Sequence, residues 1–318
     1  MTASAAPTSR VGTAAEGASP GRGGGNDVSE KNRGGAVTTQ AIERRWGYPS
    51  AGFGRVFGLP RSGNHAIISW LLRNAAPDGY VFANNCAAQK DVFESAYQLE
   101  IDGKIFWSKE KKERGVAPLL ARRAPHPFTL VSYEGAMPFL PPKGGLFTPD
   151  IDPDAYAFDV VILRSFLNWL ASLVTLYEKE GPKRGREPLE VAQWILTTVI
   201  RYKQVMRSVN EGLPARFTLI RYDDWAASEE ERARLLAAMD LPVLDNGLGD
   251  TARYGGGSSF TGTASAAPET PPPRWLALRD HPSFRAHAGF CAADPAFMAD
   301  LRHLYPEDAE RLDALAAG

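Results

Sequence analysis

Residues 56–72, VFGLPRSGNHAIISWLL, form an apolar strand that enters a Gly-containing turn and leaves it as a helix, with Ile67, Trp70 and Leu71 on its buried side. A strand–turn–helix unit restricts the chain to an α/β architecture. It also aims backbone N–H groups and the positive end of a helix at one point, which suits an anionic phosphate. Gly58 and Gly63 have the spacing of GxxxxGK[ST], but Asn64 and His65 stand where the Lys and the magnesium-binding hydroxyl would be. An ordinary ATPase or kinase loop is thereby disfavoured. Arg61 instead brings a permanent cation whose planar fork matches phosphate or sulfate oxygens. A plain βα turn with an exposed Arg is the alternative reading of this segment alone.

The remainder is consistent with that start. After Trp46, short apolar runs alternate with amphipathic segments, the signature of a mainly parallel sheet covered by helices. The pattern predicts strands at 54–59, 128–133, 158–163 and 216–222, and helices at 65–74, 166–179, 189–211 and 229–239. Ser228 and Glu231 have the spacing of a capping box at the start of the last helix. Residues 178–188 (EKEGPKRGREP) and 254–273 read as mobile surface loops. The first 40 residues contain no aromatic side chain and are dominated by Ala, Gly, Ser, Thr and Pro, so a disordered tail is expected over 1–45 and a single domain over 46–318.

A second polar feature lies in VVILRSFLNWLASLVTLY. Arg164 ends a buried strand and Ser172 follows eight residues later. On a helical wheel Ser165, Asn168, Ser172 and Thr175 form an uncharged polar stripe opposite Phe166, Trp169, Leu170 and Leu173. Small hydroxyl and amide groups without Glu or Lys indicate a face packed close to polypeptide or ligand.

Together these segments resemble the PAPS-dependent sulfotransferase family. Pro60-Arg61-Ser62-Gly63 matches its 5′-phosphosulfate loop, P-[KR]-S-G-T-[TS], with Asn64 and His65 departing from the two hydroxyl residues. Arg164 and Ser172 match its R-[DN]-P-x-x-x-x-x-S element, with Ser165-Phe166 in place of the acidic-Pro pair. The resemblance runs from about Arg55 to Pro306. It implies a three-layer, P-loop NTPase-like α/β fold with PAPS as sulfuryl donor. Pro60, Arg61, Ser62, Gly63, Asn64, His65 and Ala66 would hold the 5′ end, Arg164 and Ser172 the 3′-phosphate, and Arg253 and Gly255 a late basic loop over the nucleotide. Tyr222-Asp223-Asp224-Trp225 looks like the family's structural segment after a later strand.

The family places its base between the two nucleotide motifs, and Glu134 after the strand at 128–133 occupies a similar place. His65 in the loop and His126 before that strand are alternatives, and Arg61 would stabilise the leaving phosphate. No paired metal carboxylates accompany the loop, so metal-independent chemistry is expected. Lys109, Lys111 and Lys112 read as a solvated face.

A net charge of −1 argues against nucleic acid or an anionic membrane as partner. No stretch approaches the ~20 apolar residues of a membrane span. Cys86 and Cys291 have no metal or disulfide spacing, which suits a reducing cytoplasm. The expected acceptor is a small molecule or carbohydrate, its identity and the oligomeric state being unread. A P-loop-type kinase and a non-catalytic nucleotide-binding protein are the alternatives.

Overall fold

The computed structural model describes residues 48–88, 90–107, 118, 120, 125–140, 153–249 and 273–317. All belong to one compact unit, Gly34–Gly318. The expected tail over 1–45, Lys109, Lys111, Lys112, Arg253, Gly255 and nearly all of the 254–273 loop lie outside the described residues.

Seven strands form one sheet: β1 Gly52–Gly58, β2 Tyr80–Asn84, β3 Gln98–Ile101, β4 Lys104–Trp107, β5 Phe128–Glu134, β6 Phe158–Leu163 and β7 Phe217–Arg221. Their order is β4-β3-β2-β5-β1-β6-β7. The five-strand block from β2 to β7 is parallel, and β3 and β4 extend it antiparallel at one edge. β6 is buried at every position, which is why, apart from Asp159, it reads as a continuous apolar run rather than an alternation.

The helices are α1 Asn64–Ala75, α2 Val92–Ser95, α3 Phe166–Lys183, α4 Pro188–Glu211, α5 Tyr222–Ala227, α6 Glu229–Ala238, α7 Pro282–Ala292, α8 Pro295–Leu304 and α9 Pro306–Ala317. Alternate strand residues point to opposite faces. Val56, Leu130, Val160 and Ile162 therefore pack with α1 and α6 on one side, while Phe57, Val131, Val161 and Leu163 pack with α3, α4 and the C-terminal helices on the other. The fold is three-layer α/β, as the alternation of elements predicts.

Each predicted strand and helix is present, with ends shifted by up to four residues. Two expectations are corrected. Residues 178–183 are the last turns of α3 rather than a loop. Gly181 lets α4 approach so closely that a Cβ there would lie 2.3 Å from Val191 Cγ2. Pro182 falls in the final turn, which closes through Arg184 N–H donating to the Glu180 and Gly181 carbonyls. At α6 only half of the capping box forms. Ser228 Oγ accepts from Glu231 N, but Ser228 N donates to the Asp224 carbonyl and the Glu231 carboxylate binds Arg234. A reciprocal capping box forms instead at α4, between Glu187 and Glu190.

Two polar arrangements inside the core are invisible to hydrophobic patterning. Register sets Arg55 of β1 beside Asp159 of β6, where Nε and Nη2 bind the two carboxylate oxygens at 2.6 and 2.8 Å, under the ring of Tyr156. At the end of α1, buried Asn74 donates to the carbonyls of Trp70 and Asp245 and accepts from the N–H groups of Leu244 and Asp245. That one amide fixes the segment after α6. Asn74→Ala orphans three loop backbone groups, so it is expected to cost about 2–4 kcal/mol, since each buried unsatisfied group costs ~1–3 kcal/mol. Chemical denaturation would register this as a lower midpoint at unchanged slope.

Candidate functional site

In an open α/β sheet, ligands bind beyond the carboxyl ends of the strands where the order of connections reverses. Here β1 leads through α1 towards β2, whereas β6 leads through α3 and α4 to β7 on the opposite side. The crevice therefore opens between the ends of β1 and β6. The segments that emerge around it are the 59–63 loop, Arg164, Glu134 at the end of β5 and Tyr222 after β7. Topology thus collects residues spread over more than 150 positions of chain.

The 59–63 turn is held in an unusual shape. Arg61 has φ 71° and Gly63 φ 92°, both left-handed. A Cβ on Gly63 would lie 2.1 Å from the Tyr222 ring, and one on Gly58 2.1 Å from Asn64 Oδ1. Trp169 of α3 pins the loop by donating its indole N–H to the Pro60 carbonyl at 2.8 Å. Asn64 Nδ2 donates to the Leu59 carbonyl and to Glu134 Oε1, at 3.1 and 3.2 Å.

The two helix starts at the crevice differ. No side chain caps the N-terminus of α1, so its positive end faces the crevice. The first turn of α3 is filled by the protein's own carboxylates: Asp223 accepts from Ser165 N at 2.6 Å and Asp308 from Leu167 N at 3.1 Å. An anion is thus offered backbone groups by the β1–α1 loop, and side chains by α3.

Those side chains converge. Arg61 Nε donates to Ser172 Oγ at 2.9 Å, and Arg164 Nη1 to the Arg61 carbonyl at 3.3 Å. Arg164 lies over the Tyr222 ring at 4.7 Å, and Tyr202 OH holds its backbone carbonyl at 2.6 Å. Arg274, which opens the 3₁₀ helix Arg274–Leu278, approaches Ser172 Oγ at 3.4 Å. Burial, and then the charge of Arg164, lower the pKa of both Arg61 and Arg274, the latter to about 10. Ser62 Oγ and Arg164 Nε are buried with no hydrogen-bond partner among the described residues. A crowded cationic site with unsatisfied buried donors fits an anionic ligand, because each such donor costs ~1–3 kcal/mol until an acceptor arrives.

Of the three base candidates, two are at the crevice. Glu134 is opposite Gly58 in register. Glu134 is exposed at the end of β5, but the protein packed around its carboxyl partly desolvates it and raises its pKa, against the lowering effects of the Asn64 hydrogen bond and the Arg61 charge. His65 is driven the other way, to about 4, by burial and then by Arg61. His126 is exposed beyond the opposite end of β5, roughly 20 Å or more from Glu134 at ~3.3 Å per residue. It is too distant to act with the loop. Ala66 lies in the first turn of α1, behind the loop, where its N–H donates to the Gly63 carbonyl.

Arg274, Asn168 and Tyr222 were not legible as site residues. Asn168 belongs to the polar stripe of α3 already evident in the sequence. Arg274 is preceded by three prolines and carries no motif. Among the described residues no group of three or more His, Cys, Asp or Glu side chains is placed to hold a metal ion, and no helix is long and apolar enough to cross a membrane.

No family model matches this chain, and no curated protein matches it. Among solved structures it is similar to mouse sulfotransferase SULT7A1 complexed with PAP, at 13% identity and a TM-score of 0.42, over 89% of this chain and 95% of the mouse chain.

Proposed function

We propose that this chain is a sulfotransferase that uses 3′-phosphoadenosine 5′-phosphosulfate (PAPS) as donor and a hydroxyl or amine of a small molecule or carbohydrate as acceptor. The observation that carries the reading is the convergence of Arg61 on Ser172 and of Arg164 on the Arg61 carbonyl, in a crevice that also presents an uncapped helix start and a carboxyl. When bound, PAPS supplies the activated sulfuryl group. Gly63, Asn64 and His65 would bring backbone N–H groups and the start of α1 to the 5′ end, and Ser62, whose N–H is bound to the Leu59 carbonyl, its Oγ. Arg61 stabilises negative charge there, the task for which the loop has no Lys. Arg164 and Ser172 hold the 3′-phosphate.

Glu134 is the base. A raised carboxyl pKa brings its proton affinity nearer to neutrality, where general-base assistance is more effective. His65 is driven away from neutrality by its burial and then by the Arg61 cation, both of which oppose protonation of its ring. The two groups are pushed apart by their surroundings, and that separation supports giving the base role to Glu134 rather than His65.

Calorimetry without magnesium tests the donor. The bisphosphate product, 3′-phosphoadenosine 5′-phosphate, is expected to bind at least tenfold (~1.4 kcal/mol) more tightly than AMP or ADP. Arg164→Ala and Ser172→Ala should each narrow that gap. Equal affinities in the wild type would overturn the proposal, and a magnesium-dependent preference for ADP would move it to a kinase.

A further inference from the structure

We infer that Asn64 is the positioning residue of this site: its side-chain amide, oriented by the Leu59 carbonyl, holds the Glu134 carboxylate against the 59–63 loop. The inference rests on the reading of Glu134 as the base. It gives a task to the residue that stands where the sulfotransferase pattern has a hydroxyl.

The geometry leaves the amide one orientation. A carbonyl oxygen only accepts, so the 3.1 Å contact with Leu59 requires Nδ2 on that side, and Nδ2 then also donates to Glu134 Oε1 at 3.2 Å. Oδ1 lies over Gly58, where a Cβ would come within 2.1 Å of it. Glycine at 58 thus makes room for this rotamer, and Gly58 is the residue opposite Glu134 in the β1–β5 register. Oδ1 is buried with no hydrogen-bond partner among the described residues, so the side chain caps no N–H group of α1. Its two bonds run instead to the carbonyl just after β1 and to the carboxylate that ends β5.

An N–H fixed towards Oε1 favours the ionised carboxyl, because a proton on that oxygen would compete with it. The surrounding protein desolvates the carboxyl and raises its pKa; the Asn64 bond, and after it the Arg61 charge, lower it. Arg61, from the loop, is the charged group that acts on Glu134 among the described residues. Gly58 on β1 has no side chain, and Ser132, two residues back on the same face of β5, is uncharged and donates to Asn84. His65, next along α1, is driven to about 4 by burial and then by Arg61, so it brings no charge near neutrality. Asn64 therefore restores to the base part of the ionisation that desolvation opposes. It also fixes Oε1 and leaves Oε2 to take the acceptor's proton, an ordering that general-base chemistry requires. The backbone N–H of Asn64 belongs to the group proposed for the donor's 5′ end. One residue thus sets base and donor in register.

The test reads the carboxyl directly and then the reaction. In the full chain labelled with carbon-13 glutamate, the Glu134 signal is the one absent from Glu134→Gln, and its titration midpoint should move to higher pH in Asn64→Ala. Asn64→Thr, whose hydroxyl has a single O–H and cannot donate to both oxygens, should move it the same way and serves if the alanine variant fails to fold. Transfer is followed as release of the bisphosphate from PAPS with a panel of hydroxyl and amine compounds. Asn64→Ala is expected to lower kcat about tenfold while binding 3′-phosphoadenosine 5′-phosphate within about threefold of wild type. In the Glu134→Gln background it should lower transfer by less than about twofold, a non-additivity expected of a residue that acts through the carboxylate. A midpoint that stays or falls in both Asn64 variants overturns the inference and leaves the base reading intact, as do additive losses in the double variant. Losses of bisphosphate affinity as large as those of transfer, at an unmoved midpoint, make Asn64 a loop residue and also overturn it. Full turnover in Glu134→Gln removes the base reading, and the inference falls with it.

Discussion

Glu134→Gln is expected to lower sulfuryl transfer by about 100-fold or more, the usual scale for losing acid–base assistance, while leaving affinity for 3′-phosphoadenosine 5′-phosphate within a factor of about two. The amide keeps an oxygen to accept from Asn64 Nδ2, which already donates to the Leu59 carbonyl, so the loop retains its anchors. What disappears is the group that takes the acceptor's proton. Transfer is followed as release of the bisphosphate from PAPS against a panel of hydroxyl and amine compounds. Undiminished turnover in Glu134→Gln, with collapse in His65→Ala at unchanged affinity, would place the proton on the histidine instead.

The pH dependence has a definite sign. Glu134 must be ionised to act, and partial desolvation of its carboxyl by the surrounding protein raises its pKa above the ordinary carboxylate value, although the residue is exposed at the end of β5. The acid limb of kcat/KM should therefore fall at a pH above the usual carboxylate range and vanish in Glu134→Gln. For stability the direction is opposite. A carboxyl whose folded pKa is raised binds more protons in the folded than in the unfolded state, so its contribution diminishes as pH rises from the unfolded pKa through the folded one. Above that window the ionised carboxyl opposes folding. Glu134→Gln removes this effect, so the variant should lose activity without losing stability at neutral pH.

Gly63→Ala is expected to damage both stability and binding, at a cost of about 2–6 kcal/mol. Holding a non-glycine residue at a left-handed φ of 92° contributes ~1–3 kcal/mol. Forcing a methyl group against a packed ring contributes ~1–3 kcal/mol more. The new Cβ would meet Tyr222 at 2.1–2.9 Å, and Tyr222 is the ring beneath Arg164. Relief by moving the ring would displace the cation proposed to hold the 3′-phosphate. Thermal melting and nucleotide calorimetry should therefore fail together. Wild-type values in both would show that the turn relaxes in solution into a shape that any residue can adopt.

Much of this protein is set by local sequence. Apolar runs in β1, β5 and β6, and the three-to-four-residue periodicity of α3 and α4, depend on neighbours a few positions away, so the elements and their layering are legible without tertiary information. The loop at 60–65 is legible for the same reason, because a Gly-containing turn between a strand and a helix is a local object. Arg164 and Ser172 can be paired by spacing along one helix. The misread loop at 178–183 shows the limit of local rules, since Gly181 and Pro182 suggest a break until α4 packs against the glycine.

Only the tertiary structure decides what meets across the chain. The parallel register puts Arg55 against Asp159, and the reversal of strand order between β1 and β6 brings Glu134, Arg164 and Tyr222 to the 59–63 loop. β3 and β4 pair through short antiparallel contacts that leave too few residues for a clear period. Arg274 carries no motif, and its approach to Ser172, 102 residues away in sequence, exists because the chain folds back across α3. Hydrophobic patterning records which face a residue turns towards the core. It contains no information about which distant polar group waits there, because that depends on packing that forms only when the whole sheet and its helices have closed.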